Sequence, residues 1–301
     1  MKKLLIFCCF LTLLLFTGCG TAVKQQPFIA TTIYPLTDIT RRICGEYLQV
    51  KQLVPPNVEP HEWDPSPVVM KEIDKAEFLV AIGPMLEPVA KLQTDQSKQL
   101  LMCNYAKTIS NGESVDPHMW LDPQNVISFI PALVEKLIAV DGSHAEYYKS
   151  NAALLVKELV VLDKAYRDNL KSINKTEFVT THAAFGYLAN RYGLQQYSIL
   201  GNTPEAEPSA KHLVQLAEFC KAHRITTIFF EPRESEKLAV RFANEIHAKI
   251  APLDPLEMAP PPENDAQGYS AIMRKNLENL VSFSPVGDDA FIPSNLEHSM
   301  V

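Results

Sequence analysis

The chain is poor in the features that would make it a membrane-spanning, nucleic-acid-binding or disulfide-built protein. Its apolar N-terminal run, Leu4 to Phe16, is too short to cross a hydrocarbon layer of about 30 Å. Basic residues are in the minority: 28 Lys and Arg stand against 35 Asp and Glu in 301 residues, a formal net charge of −7. That balance argues against nucleic acid, and against a polybasic surface for acidic lipid. Cys8, Cys9 and Cys19 cluster near the N-terminus, which leaves Cys44, Cys103 and Cys220 scattered along the rest of the chain. Their spacing is not that of a metal site, and at most one disulfide is available among them, with the pairing left open. No His-Glu-x-x-His stands on any helix, and His61-Glu62-Trp63-Asp64 lacks the second His of that hydrolase signature.

What is present begins with a leader. Lys2 and Lys3 precede the apolar run, and Phe16-Thr17-Gly18-Cys19 closes it with small residues before a cysteine. The order of these zones is that of a signal peptide over residues 1–18. The last four residues resemble a bacterial lipobox, in which Cys19 carries the lipid and becomes the mature N-terminus. Acyl chains contribute about 0.8 kcal/mol per buried CH₂, enough in number to hold a domain at the cell membrane without a transmembrane helix. The expected location is therefore extracytoplasmic, on the periplasmic face if there are two membranes. Loss of Lys2 and Lys3 would leave 26 basic and 35 acidic residues, a formal charge of about −9.

Residues 19–26 read as a tether. An N-terminal lobe is expected over 27–142, a linking helix over 143–173, a C-terminal lobe over 174–282 and a tail without periodicity over 283–301. Strand patterns at Phe28–Ile33, Tyr47–Val54, Phe78–Gly83 and Leu100–Cys103 alternate with helical patterns, which argues for a parallel α/β sheet. A second set follows at Glu177–Thr181, Gln195–Leu200, Thr226–Phe230 and Lys249–Leu253. Between the sets, Tyr148, Ala152, Leu155, Leu159, Leu162 and Tyr166 recur at spacings of four and three, one apolar stripe on one long helix. Ser143 and Glu146 read as its capping box. At 1.5 Å per residue such a helix is about 43 Å long, longer than a small domain. Ser66, Asp122, Ser209 and Ser235 read as further N-caps, the first two followed by proline at the first helical position.

Four residues lie just past the ends of predicted strands or in the loops that follow: His61, His118, His182 and Asp254. In open α/β sheets ligands bind at that edge, and three imidazoles with one carboxylate suit a divalent transition metal. His61 and His118 sit in proline-rich loops of similar design, Pro60-His61-Glu62-Trp63-Asp64-Pro65 and Pro117-His118-Met119-Trp120-Leu121-Asp122-Pro123. Glu231 also ends a strand and is a candidate extra ligand or hydrogen-bond partner to one. The Asp-Pro pair at Asp254 has a plain alternative reading as turn chemistry, and Trp63 and Trp120 either wall the site or pack the loops. The remaining histidines fall on predicted helices or in the tail.

The lipobox, Pro56 to Pro65, Asp116 to Pro123, Thr181-His182-Ala183-Ala184-Phe185-Gly186-Tyr187-Leu188 and Leu253-Asp254-Pro255-Leu256 together resemble the metal-binding solute-binding proteins of zinc and manganese ABC importers (the cluster 9, or A-I, family). The resemblance implies two α/β lobes joined by one long rigid helix and a metal ion between them. His61, His118, His182 and Asp254 would be its ligands, a membrane permease the partner, and the chain a monomer. Family members that favour manganese commonly have Glu at the position of His182, so the histidine implies Zn²⁺, with Mn²⁺ as the alternative. Many zinc members also carry a His-rich acidic loop before the second ligand, and Asn104 to Val115 contains no His. Two readings of other classes stand beside this one: a surface adhesin, which no residue specifically supports, and a zinc hydrolase, for which a closed four-ligand site leaves no position for water.

Overall fold

The computed structural model describes residues 27–88, 92–111, 114–171, 173, 176–201, 208–260 and 268–283. The predicted signal peptide, the lipid-bearing Cys19, the tether to residue 26 and the tail from 284 onward lie outside the described residues.

The first parallel sheet holds β1 (Phe28–Thr31), β2 (Gln49–Gln52), β3 (Leu79–Ala81) and β4 (Gln99–Leu101) in the order β2-β1-β3-β4. Helices α1 (Tyr34–Cys44) and α2 (Pro67–Ile73) connect its strands. A two-stranded hairpin, β5 (Ser110–Asn111) with β6 (Ser114–Val115), follows; it was not predicted, because two-residue strands carry no readable alternation. Then come α3 (Pro123–Val140) and the long α4 (Ala145–Leu170). The second parallel sheet comprises β7 (Glu177–Thr180), β8 (Gln195–Ser198), β9 (Thr227–Phe230) and β10 (Lys249–Pro252), with α5 (Gly186–Tyr192), α6 (Ala210–Ala222) and α7 (Lys237–Ile246) between strands and α8 (Gly268–Phe283) at the end. Its order, β8-β7-β9-β10, repeats that of the first sheet strand for strand.

In each sheet the first and third strands lie side by side, and the chain leaves them in opposite senses, which opens a crevice at their C-terminal ends. Both crevices hold the same pair of side chains. Thr32 Oγ1 donates to Glu87 Oε1 at 2.5 Å in the first lobe, and Thr181 Oγ1 donates to Glu231 Oε1 at 2.8 Å in the second. Burial pushes the Glu87 carboxyl up to about 7, against the pull of the Gly83, Thr32 and Ile82 donors.

The stripe read from the sequence is the buried face of α4: Tyr148, Ala152, Leu155, Leu159, Leu162 and Tyr166 are all in the core. Its 26 residues span about 39 Å. One apolar cluster runs without interruption from Ile29 and Leu36 in the first lobe through this stripe to Phe178, Leu253 and Leu277 in the second. The last helix is not confined to the second lobe: α8 packs on α1 and α4 as well as β10. Tyr166 Oη donates to Met273 O at 2.6 Å, and the Tyr269 amide donates to Asp38 at 2.9 Å. A shared core crossed by hydrogen bonds resists wide opening, because packed interiors have few alternative arrangements.

The caps at Ser66, Asp122 and Ser209 form as predicted, each accepting a backbone N–H of its helix. Two predicted caps do not. Ser143 turns its hydroxyl to Asp141, which also gathers His144 and Tyr148, so α4 begins without a side-chain cap. Helix α7 begins after Glu236, again without one, and not at Ser235. Cys44, Cys103 and Cys220 are all free thiols.

Candidate metal centre

His61 lies in a single 3₁₀ turn, Pro60–Glu62, which the Glu59 carboxylate fixes by accepting the His61 amide at 3.1 Å. His118 opens a matching turn, Met119–Leu121, and His182 stands two residues past the end of β7. The two lobes bring these three rings together. Nε2 of His61 is 3.2 Å from Nε2 of His118, which is 3.4 Å from Nε2 of His182.

The carboxylate that completes the group is that of Glu257. Its Oε1 is 2.7 Å from Nε2 of His118, 3.6 Å from that of His61 and 3.7 Å from that of His182. All four donor atoms lie within 4.8 Å of one another. A tetrahedral ion with arms of about 2.0–2.1 Å has edges of roughly 3.3 Å, so most of these separations are close to the edges of such a tetrahedron. Both Glu257 oxygens are buried and lack a hydrogen bond of good geometry, an arrangement that calls for a cation.

Asp254, predicted as the fourth donor, is held elsewhere. Its Oδ1 pairs with Arg233 and accepts the Leu256 amide at 2.8 Å, while its own amide donates to Asn276. The local-turn reading of Asp-Pro is the one realised. Leu256 takes a left-handed conformation, φ 61°, and the next residue, Glu257, turns its carboxylate to the imidazoles. Glu231 stands behind His182, its Oε1 2.5 Å from Nδ1. Asp116, which no strand-end argument singled out, does the same for His118: its Oδ1 is 2.7 Å from Nδ1 and accepts the His118 amide at 3.0 Å. Among the described residues His61 has no such partner. The sequence signal for Asp116 is its place two positions before His118, a spacing that lets a carboxylate reach its neighbour's ring and amide.

Trp120 is fully buried and ties two of the loops. Its Nε1 donates to Pro255 O at 2.7 Å, and its own carbonyl accepts from Tyr269 Oη at 2.6 Å. Trp63 is half-buried and packs against the first lobe.

Electrostatics follow from this crowding. Burial works against the His118 cation, but Asp116 and Glu257 outweigh it and push its pKa up to about 8. Burial likewise opposes the His182 cation, and Glu231 and Glu257 overcome it, holding the ring well above the usual imidazole range. Glu257 is held well below the usual carboxylate range by His182 and His118, against its own complete burial. The two imidazolium rings and the three carboxylates around them form one network of protons and negative charge. A divalent ion can replace the protons.

Two α/β lobes of the same topology, one long helix between them and donors gathered where they meet define a solute-binding protein. The chain belongs to the family described as the zinc-uptake complex component A, periplasmic, which matches residues 29–283. It is 33% identical over 285 residues to the high-affinity zinc uptake system protein ZnuA of Bacillus subtilis, covering 87% of this chain and 89% of that one. It is 32% identical to the zinc-binding lipoprotein AdcA of Streptococcus pneumoniae, of whose length it spans 64%. Among solved structures, the laminin-binding protein of Streptococcus agalactiae, a bifunctional adhesin and metal transporter, superposes with a TM-score of 0.77 at 29% identity, over 86% of this chain and all of that one. The Zn(II)-bound AdcA of S. pneumoniae superposes with a TM-score of 0.76 at 34% identity, over 86% of this chain and 58% of that one.

Proposed function

We propose that this protein captures Zn²⁺ outside the cytoplasmic membrane and delivers it to an ABC importer permease, acting as a receptor and not as an enzyme. The observation that carries the reading is the near-tetrahedral set His61, His118, His182 and Glu257. Three neutral imidazoles and one carboxylate around Zn²⁺ leave a formal charge of about +1. Counting Asp116 and Glu231 behind the rings, it becomes about −1, which favours retention of the cation. Imidazole-rich ligation also suits Zn²⁺ better than the harder Mn²⁺. Four protein donors close the shell, so a catalytic water has no position. Lipidation of Cys19, the monomeric state, the limits of the lobes and the permease partner belong to the same reading and rest on the sequence and the family.

Release is assigned to the loop of His61. Among the described residues it is the imidazole without a carboxylate behind it, and it is the most accessible of the three, whereas the lobes share a core that opposes a wide hinge. Titration of chelator-stripped protein with Zn²⁺ and Mn²⁺, paired with zinc uptake by cells lacking the gene, tests the function. One tightly held Zn²⁺ per chain and a zinc-specific uptake defect are expected; a manganese-specific defect would make the cargo Mn²⁺. Similar structures include laminin-binding proteins of S. agalactiae and Streptococcus pyogenes, which supplies a second reading as an adhesin, tested by immobilised laminin with wild-type protein and the His182→Ala variant.

A further inference from the structure

The first turn of the second-lobe helix α5 meets the first lobe at Asp116 and Ile109. A Cβ built on Gly186 would stand 2.7 Å from Asp116 Oδ2 and 3.3 Å from Ile109 Cδ1. Real side chains do not approach so closely, so the contact requires glycine although its backbone is ordinarily helical. The next residue grips the same point: Tyr187 Oη donates to Asp116 O at 2.8 Å and accepts the Ile109 amide at 3.1 Å. The Asp116 amide in turn donates to Ile109 O at 3.0 Å. Asp116 is fully buried, its Oδ2 has no hydrogen-bond partner, and its Oδ1 holds both the amide and Nδ1 of His118.

We propose that Gly186 and Tyr187 are positioning residues for His118: the second lobe, through Asp116, orients an imidazole that the first lobe supplies. The seat of α5 against Asp116 decides where Oδ1 lies, and Oδ1 decides the tautomer and tilt of the ring, since the N–H that donates to the carboxylate leaves Nε2 free for metal. The contact makes metal affinity sensitive to how the lobes are seated. It also gives a docked partner that displaces α5 a means of loosening a second ligand besides His61. The inference rests on the proposed metal centre and adds to it a path between the lobes.

The test is a double-mutant cycle read by chelator competition for Zn²⁺ and by the visible ligand-field band of the Co²⁺-loaded protein. Gly186→Ala should weaken Zn²⁺ binding by about 10- to 100-fold, the range typical for loss of a partner behind a ligand, and shift the Co²⁺ band. In the Asp116→Ala background, where the clashing Oδ2 and the path to His118 are both gone, Gly186→Ala should change neither further. Equal losses in both backgrounds, or no loss in either, would overturn the proposal. Tyr187→Phe, which removes one hydroxyl and adds no bulk, repeats the cycle where Gly186→Ala fails to fold: an effect confined to the Asp116 background supports the path, and unchanged affinity rejects it. If the unaltered protein takes up neither Zn²⁺ nor Co²⁺, the metal reading itself falls, an outcome distinct from additive losses in a protein that binds both.

Discussion

Replacement of Glu257 and of Asp254 by their amides separates two carboxylates three residues apart. Glu257→Gln keeps the shape of the side chain and removes a charge whose oxygen lies 2.7 to 3.7 Å from three imidazole nitrogens. Outer partners of metal ligands are typically worth 10- to 100-fold in affinity, and a direct anionic donor must exceed them, so the loss should be at least about 100-fold, or about 2.7 kcal/mol. Asp254→Asn removes a charge that is already neutralised by Arg233 and leaves an oxygen to accept the Leu256 amide. Its effect on the metal passes only through the turn and should stay below about tenfold. Competition against a chelator of known affinity, with protein stripped of metal, measures both. Equal losses, or a larger loss for Asp254→Asn, would refute the reasoning and return the fourth donor to Asp254.

Zinc and protons compete for the same ring nitrogens, and His118 and His182 both hold their protons at pH 7 in the metal-free protein. Binding should therefore release close to two protons per ion, seen by calorimetry in buffers of different ionisation enthalpy, and affinity should fall as pH drops below about 8. The raised pKa of His118 stabilises the metal-free fold fully below the unfolded imidazole value of about 6.5, and that contribution is lost as pH rises through about 8; His182 acts in the same sense, so the melting temperature of the metal-free protein should decline as pH rises while that of the zinc-loaded protein does not. Glu231→Gln should weaken zinc binding by about 10- to 100-fold by equilibrium competition, and should lower the melting temperature of the zinc-free protein near pH 7, because it removes the charge that most favours the buried His182 cation. Trp120→Phe removes the donor to Pro255 O and leaves a buried carbonyl unpaired, which costs about 1–3 kcal/mol; a denaturant midpoint that does not move would show that the Trp120 hydrogen bond adds nothing.

The periodic elements were legible because their signals are local. The stripe from Tyr148 to Tyr166, the capped starts at Ser66, Asp122 and Ser209, and the apolar strands each satisfy their own hydrogen bonds or bury one face, and the pattern shows it. The three histidines were legible for a related reason: each follows a strand end, and strand ends set where a loop side chain emerges. Asp254 met the same rule but not the same fate. A carboxylate two residues before an amide that needs an acceptor has a local partner, and Arg233 completed its charge from another loop.

The sequence by itself determined the class of the fold, the two matched halves, the long helix between them and the chemistry of the site as imidazole with carboxylate. The tertiary structure alone decided which carboxylate turns inward, which histidines have an acid behind them, and that the two lobes share one core. Those outcomes depend on Arg233 meeting Asp254, Glu231 meeting His182 and Gly186 meeting Asp116, and contact between distant residues leaves no period, cap or turn signal in a single sequence.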